Sequence, residues 1–242
     1  MIRHAEAEGN IFRRAHGQFN GLIIGRGYAQ IKLLRERFKD EMIDAVYSSD
    51  LLRAVATAGA VSETRGLPVN TDERLREVGI GEWEDAAWGD INYHYREMSE
   101  LFGSDPARWR TEGSEKYEDV RQRMKSCISE IGRRHDGKTV AVISHGFAIR
   151  AMTCEMMGLP SHKTGLIPYC DNTAVALLRY ENDKFEIEYK GDNSHLDSRS
   201  STFAKQTWWR GAMERTSEDI RYVPFEEKRG AELFGLCGME SA

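Results

Sequence analysis

The feature of this chain that most restricts its fold is Thr139-Val140-Ala141-Val142-Ile143, a nearly continuous apolar run. It ends at Ser144-His145-Gly146 and passes directly into a helical pattern over residues 146–157. A strand apolar on both faces must be covered on both faces, as inside a parallel sheet with a helical layer on either side. The same unit recurs upstream. Ala45-Val46-Tyr47 is a short strand that stops at Ser48-Ser49; residues 51–63 follow with Leu52, Val55, Ala56 and Gly59 at helical spacing, and with Ser49 or Asp50 as N-cap. Gly66-Leu67-Pro68 closes that unit, and Val69 opens another short strand. Residues 114–134 read as a long amphipathic helix with Tyr117, Val120, Met124, Cys127, Ile128 and Ile131 on one face, ended by Asp136-Gly137. Residues 173–180 and 185–189 form a closing hairpin turned at Asn182-Asp183. Gly25-Arg26-Gly27 lacks the third glycine of a nucleotide loop and reads as a helix entry. The alternation predicts an α/β layered domain.

Composition narrows the function classes. The chain has 242 residues, 40% hydrophobic and 30% charged, which suits one globular domain with an appendage. A net charge of −5 without a lysine/arginine block argues against a nucleic-acid partner. No apolar run approaches the ~20 residues of a spanning helix, so no membrane partner is expected. Met1-Ile2-Arg3-His4 has no apolar leader region, and Cys127, Cys154, Cys170 and Cys237 stand far apart without CxxC spacing. Free thiols in a reducing cytoplasm are the expectation.

The chemistry sits at strand ends. Arg3-His4 and Ser144-His145-Gly146 each follow an apolar segment, and Arg53 and Glu77 lie between them. A neutral imidazole beside a guanidinium suits phosphoryl transfer: one ring nitrogen attacks phosphorus while fixed positive charge meets the oxygens. Arginine and histidine already supply that charge, and no metal-ligand spacing is found, so neither a metal nor another cofactor is called for.

Four motifs occur in order: Arg3-His4-Ala5-Glu6 with Asn10, residues 48–54 with Arg53, Leu75-Arg76-Glu77 with Gly81-Glu82-Trp83-Glu84, and residues 142–146 with Ile149-Arg150. The series resembles the histidine phosphatase superfamily, the cofactor-dependent phosphoglycerate-mutase-like enzymes, over about residues 1–196. The resemblance implies a three-layer α/β/α fold with a mostly parallel central sheet, and it assigns roles. His4 is the nucleophile, Arg3 and Arg53 the phosphate clamp, His145 the second histidine, Asn10 a neutral phosphate donor and Glu77 the general acid. Glu73, Glu82 and Glu84 lie close to Glu77, which alone sits in the Leu-x-Glu context. The run after Glu77 is similar to the phosphatase branch, without the mutases' Arg-His-Tyr-Gly, so hydrolysis of a small organic phosphate ester is expected. A phosphoglycerate-type mutase and a catalytically silent module are the alternatives. The pocket wall is expected to draw on Arg13, Arg14, His16, Trp88, Tyr93, His94 and Trp109.

Three departures from the family stand out. Ala5 replaces a glycine, residues 20–24 lack the Asp-x-Pro-Leu-Thr run that caps the next helix, and only Met1 and Ile2 precede Arg3. Either the first strand is truncated, or it is a stub that leaves its neighbours' backbone groups unpaired. The chain divides into a domain over residues 1–197 and a C-terminal extension over residues 198–242, where Ile220–Glu227 then residues 230–234 read as a strand and a short helix. Trp208-Trp209 is expected to be buried against the domain or in a homodimer contact.

Overall fold

The structure, a computed structural model, describes residues 1–206. Its strands β1 (Ile2–Arg3), β2 (Ala45–Ser48), β3 (Val69–Thr71), β4 (Val140–Ser144), β5 (Val175–Glu181) and β6 (Lys184–Asp192) form one sheet in the order β3-β2-β4-β1-β5-β6. The first four run parallel, and the β5–β6 hairpin joins antiparallel on the β1 side. Asn182 and Asp183 both take left-handed backbone (φ 51° and 60°), which a two-residue hairpin turn needs and which their short polar side chains tolerate.

The helices are α1 (Glu8–Ile11), α2 (Gly25–Phe38), α3 (Leu52–Ser62), α4 (Trp88–His94), α5 (Arg96–Ser104), α6 (Tyr117–Arg134), α7 (Gly146–Met156) and α8 (Thr202–Lys205). Strand side chains alternate between two cores because successive Cβ atoms point to opposite faces. Ile2, Val46, Ala141, Ile143 and Val175 pack under α2 and α3 with Ile31, Leu34, Ala54, Ala58 and Val61. Tyr47 and Val142 face the other way, against Val120, Met124, Cys127 and Ile131 of α6 and Phe147, Ala151 and Met152 of α7. All six positions of the apolar face expected on the long helix are buried, although the helix itself starts at Tyr117.

Three local expectations are answered differently. The short first strand is paired on both sides. It takes Ile2↔Ile143 and Arg3↔Ser144 from β4, while the Arg3 N–H donates to Ala174 O (3.1 Å) and Ala176 N–H to Met1 O (2.8 Å). Neither Ser49 nor Asp50 caps α3, whose N-cap is Leu51. Asp50 is instead held by Arg76 (2.7 Å), and Ser49 Oγ accepts from Leu51 N–H (3.3 Å). The helix after residues 20–24 has Ile24 as its N-cap and no side-chain cap, its approach fixed by the Leu22 N–H bond to Glu8 (2.9 Å).

The described residues after Asp197 are bonded to the rest of the chain. Asp171 accepts from Ser201 Oγ (2.5 Å) and Thr202 N–H (3.1 Å), and Gln30 Nε2 donates to Ser200 O and Thr202 Oγ1 (2.8 and 3.0 Å). Trp208, Trp209, Cys237 and the expected elements over residues 220–234 lie outside the described residues.

Candidate active site

The parallel strands deliver the chemistry to one edge. His4 follows β1 and His145 follows β4, and the His4 N–H bond to Ser144 O (2.9 Å) fixes the two strand ends side by side. Their ring centroids stand 5.1 Å apart. Arg53 enters from the first turn of α3, after β2; Glu77 comes from the loop after β3, tied down where Ser144 Oγ donates to Leu75 O (2.8 Å). Arg3, His4, Arg53 and Glu77 line one cavity of about 220 Å³ at the carboxyl ends of the strands, where open α/β sheets hold ligands. His145 is fully buried beside His4 and is not itself part of the cavity lining.

The tautomer of His4 follows from its neighbour. Its Nδ1 lies 2.7 Å from Ala5 O, and a carbonyl only accepts, so Nδ1 carries the proton and Nε2 keeps its lone pair. Burial, and then the charges of Arg53 and Arg3, hold the His4 pKa well below the ordinary histidine value. The ring is therefore neutral at physiological pH, as a nucleophile must be. His145 is depressed in the same direction, first by burial and then by Arg53 and His4. Neither of its ring nitrogens has a hydrogen-bond partner, an expensive state for a buried imidazole and one that a bound anion relieves.

The guanidinium groups are preset by backbone carbonyls. Arg53 Nη1 and Nη2 donate to Phe19 O and Gly17 O (both 2.7 Å), and Arg3 Nη1 donates to Cys170 O (2.5 Å). Burial lowers Arg53 to about 10, against the opposing pull of Glu77 and Glu84, so it stays charged at neutral pH. Each terminal nitrogen carries two hydrogens, so both Nη atoms of Arg53 retain an N–H beyond these bonds.

Glu77 sits on the amino end of α7. Its Oε2 accepts from Phe147 N–H (3.0 Å) and its Oε1 from Ala148 and Val78 N–H (2.9 and 3.0 Å). A carboxylate offers about four lone-pair sites. Three are occupied, and the remaining one, on Oε2, is available for a proton. Arg123 buttresses this loop through the carbonyls of Arg74, Arg76 and Glu77 (2.8, 2.7 and 2.9 Å). Of the neighbouring glutamates, Glu73 is exposed and Glu84 is spent on the N–H groups of Gln18 and Ile80, so Glu77 alone of the four lines the cavity.

Among the expected pocket residues, Asn10, His16 and Trp88 line the cavity. Asn10 Oδ1 is taken by Ala7 N–H (3.0 Å), which leaves its amide nitrogen to donate. His16 Nε2 accepts from Gly9 N–H (2.6 Å), and burial followed by Arg53 and Arg3 brings its pKa down to about 3. Arg13 is not brought to the cavity. It takes left-handed backbone (φ 53°) on the exposed side, and Arg14 lines the rim in its place, paired with Asp85 (2.6 Å). Tyr93 and His94 are exposed, and Trp109 is fully buried in the core. Phe102 and Tyr169 line the cavity although no sequence pattern singled them out. Among the described residues, no group of three or more His, Cys, Asp and Glu side chains is placed to hold a metal ion, and no helix is long and apolar enough to cross a membrane.

The chain is similar to known proteins in sequence and in fold. The sequence profile of the histidine phosphatase superfamily (branch 1) matches residues 1–193. Phosphoserine phosphatase 1 of Hydrogenobacter thermophilus is 31% identical over 196 residues, 81% of this chain and 92% of that protein. Phosphoglycerate mutase-like protein 4 of Arabidopsis thaliana is 31% identical over 205 residues, 81% of this chain and 86% of that protein. The solved structure of Bacillus stearothermophilus YhfR superposes with a TM-score of 0.78 at 28% identity, covering 81% of this chain and 97% of that one.

Proposed function

Because the chain belongs to the histidine phosphatase superfamily, branch 1, we propose that it hydrolyses a small organic phosphomonoester through a phosphohistidine on His4. The observation that carries this reading is the His4 ring: neutral, its Nδ1–H spent on Ala5 O, and set 5.1 Å from the unpartnered ring of His145.

In the first half-reaction, His4 Nε2 bonds to phosphorus as the bond to the ester oxygen breaks. Glu77, protonated at Oε2, gives its proton to the departing alkoxide, and the alcohol leaves. Arg3, Arg53, Asn10 and His145 meet the phosphoryl oxygens, where charge accumulates. In the second half-reaction, Glu77 takes a proton from water, the water oxygen bonds to phosphorus, and the N–P bond breaks. Inorganic phosphate leaves with neutral His4 restored. Two guanidinium groups supply the charge stabilisation that a metal supplies in other phosphatases.

The mutase reading carries less weight. It requires a retained phosphoryl group and excluded water, and the run after Glu77 lacks the mutase Arg-His-Tyr-Gly. The complete His4, Arg53, Glu77 and His145 set stands against a silent module. A cytoplasmic setting suits Cys127, Cys154 and Cys170, all free thiols.

A phosphoester panel assayed with and without EDTA tests the reading. Turnover that survives the chelator, needs no bisphosphate primer and is inhibited by vanadate, a mimic of the five-coordinate transition state, is expected. Turnover lost in EDTA and restored by a divalent ion refutes the metal-free mechanism, and dependence on a bisphosphate primer restores the mutase.

A further inference from the structure

The cavity extends beyond the phosphate-binding groups, and its remaining wall is mostly apolar, with Ser99 as a polar side chain in it. Val78, Ile80, Trp88, Phe102, Phe147 and Tyr169 supply the apolar part. This wall is the inner surface of an aromatic cluster continuous with the core. Phe102 stacks on Phe147 (centroids 5.0 Å, 25°) and meets Trp88 at 5.6 Å and Trp109 at 4.9 Å, while Trp83 backs both tryptophans. The opposite side is fixed. The Arg150 guanidinium lies 4.0 Å over the Tyr169 ring and donates to the carbonyls of Thr164, Ile167 and Gly103 (3.0, 2.8 and 3.2 Å). One buried arginine thereby ties the Tyr169 loop to the end of α5 and sets the distance between the two walls.

Among the described residues, groups that would read a charged leaving group are few in this part of the cavity. Glu77 is the only carboxylate among the described residues that line it, and three backbone N–H groups already hold it. Apart from Glu77, whose one open site on Oε2 serves the proton it transfers, an ammonium finds no acidic partner beside the apolar wall among the described residues, and desolvating it there is costly. Outside the phosphate cradle, Arg14 is the cation of the lining, and it sits at the rim bound to Asp85. A leaving group with a carboxylate meets a cation that already has an acidic partner at the rim. The volume of about 220 Å³ is small beside the ~300–1,000 Å³ of drug-sized sites, which favours a small leaving group such as a single ring.

We propose that the substrate's alcohol is uncharged, apolar and about one ring in size, rather than an amino acid or a glycerate. This rests on the phosphomonoesterase reading above and names the substrate class of that same site. It also separates this chain from a relative named for phosphoserine, because the described residues of the cavity offer the ammonium of that compound no counter-charge besides Glu77.

The test compares 2-phenylethyl phosphate, ethyl phosphate and phosphoserine on the full chain. All three leave as alkyl alcohols, so differences report binding more than leaving-group chemistry. The expected result is a kcat/KM for the phenylethyl ester at least tenfold above either competitor, with most of the difference in KM. In Phe102→Leu, and separately in Trp88→Phe, the ratio of phenylethyl to ethyl turnover should fall at least threefold. The ratio is internal to each variant, so a general loss of activity cancels. Phosphoserine turned over as well as the phenylethyl ester, or an unchanged ratio in both variants, overturns the substrate assignment and leaves the phosphatase standing. Hydrolysis of none of the three, nor of para-nitrophenyl phosphate, overturns the phosphatase itself.

Discussion

Replacing Glu77 by glutamine separates the two jobs assigned to this carboxylate, anchoring α7 and moving a proton. Its oxygens accept three backbone N–H bonds, two on Oε1 and one on Oε2. A glutamine amide keeps one oxygen. The better orientation places that oxygen towards Ala148 and Val78 and turns its NH₂ against the Phe147 N–H, a donor facing a donor. One bond to a charged acceptor is lost and one buried donor is stranded, a cost of about 2 kcal/mol. For a domain of this size that is a fall in Tm of about 5 °C, readable by calorimetry at neutral pH. The catalytic effect depends on the substrate. An alkyl phosphate needs a protonated leaving oxygen, and losing a general acid costs on the order of 10²–10⁴ in rate. Para-nitrophenolate leaves unaided, so its release in the first half-reaction should slow less than tenfold, measured as the initial burst. Equal losses on both esters refute the acid role. An unchanged Tm refutes the anchoring argument.

Two further outcomes follow from burial. His4, His145 and His16 all have folded-state pKa values below the ordinary histidine value, His16 at about 3. As pH falls below about 6.5 the unfolded chain takes up protons that the native chain refuses, so stability is full above that pH and declines below it. Each group adds a slope of about 1 kcal/mol per pH unit. Denaturant titrations at pH 8 and pH 5 measure this, and equal midpoints would contradict it. Truncation after Asp197 removes Ser200, Ser201 and Thr202 from their bonds to Gln30 and Asp171, strands the buried Gln30 amide nitrogen and leaves the Asp171 carboxylate with its bonds to Asn172 and Asn193. The expected loss is about 3 kcal/mol of stability with turnover changed far less; lost turnover at an unchanged Tm would make the extension part of the active site.

The parts of this molecule legible in its sequence are those set by short-range periodicity. The face of α6 could be read because a 3.6-residue repeat places Tyr117, Val120, Met124, Cys127, Ile128 and Ile131 on one side, and all are buried. The hairpin turn was legible because Asn182 and Asp183 tolerate positive φ. The histidines were legible because β4 is apolar on both faces and must lie inside the sheet, which brings the residues after β1 and β4 together. What escaped depends on loop direction and long-range packing. Arg13 and Arg14 are indistinguishable as sequence, and the left-handed backbone at Arg13 decides which of them lines the cavity. Trp109 and Phe102 are both aromatic, but only the tertiary stack assigns one to the core and the other to the wall. Arg123 acts through backbone carbonyls far away in the chain, a role with no sequence signature.

The phosphohistidine on His4 is the central claim, and trapping it is the direct measurement. The full chain is mixed with para-nitrophenyl phosphate, quenched within the first turnover under conditions that preserve phosphohistidine, and mapped by peptide mass spectrometry. The account predicts one added phosphoryl group on His4, formed with a stoichiometric burst of nitrophenol and absent in His4→Ala. Full turnover with no phosphorylated peptide at any quench time, or a phosphoryl group on another residue in the wild-type chain, contradicts it.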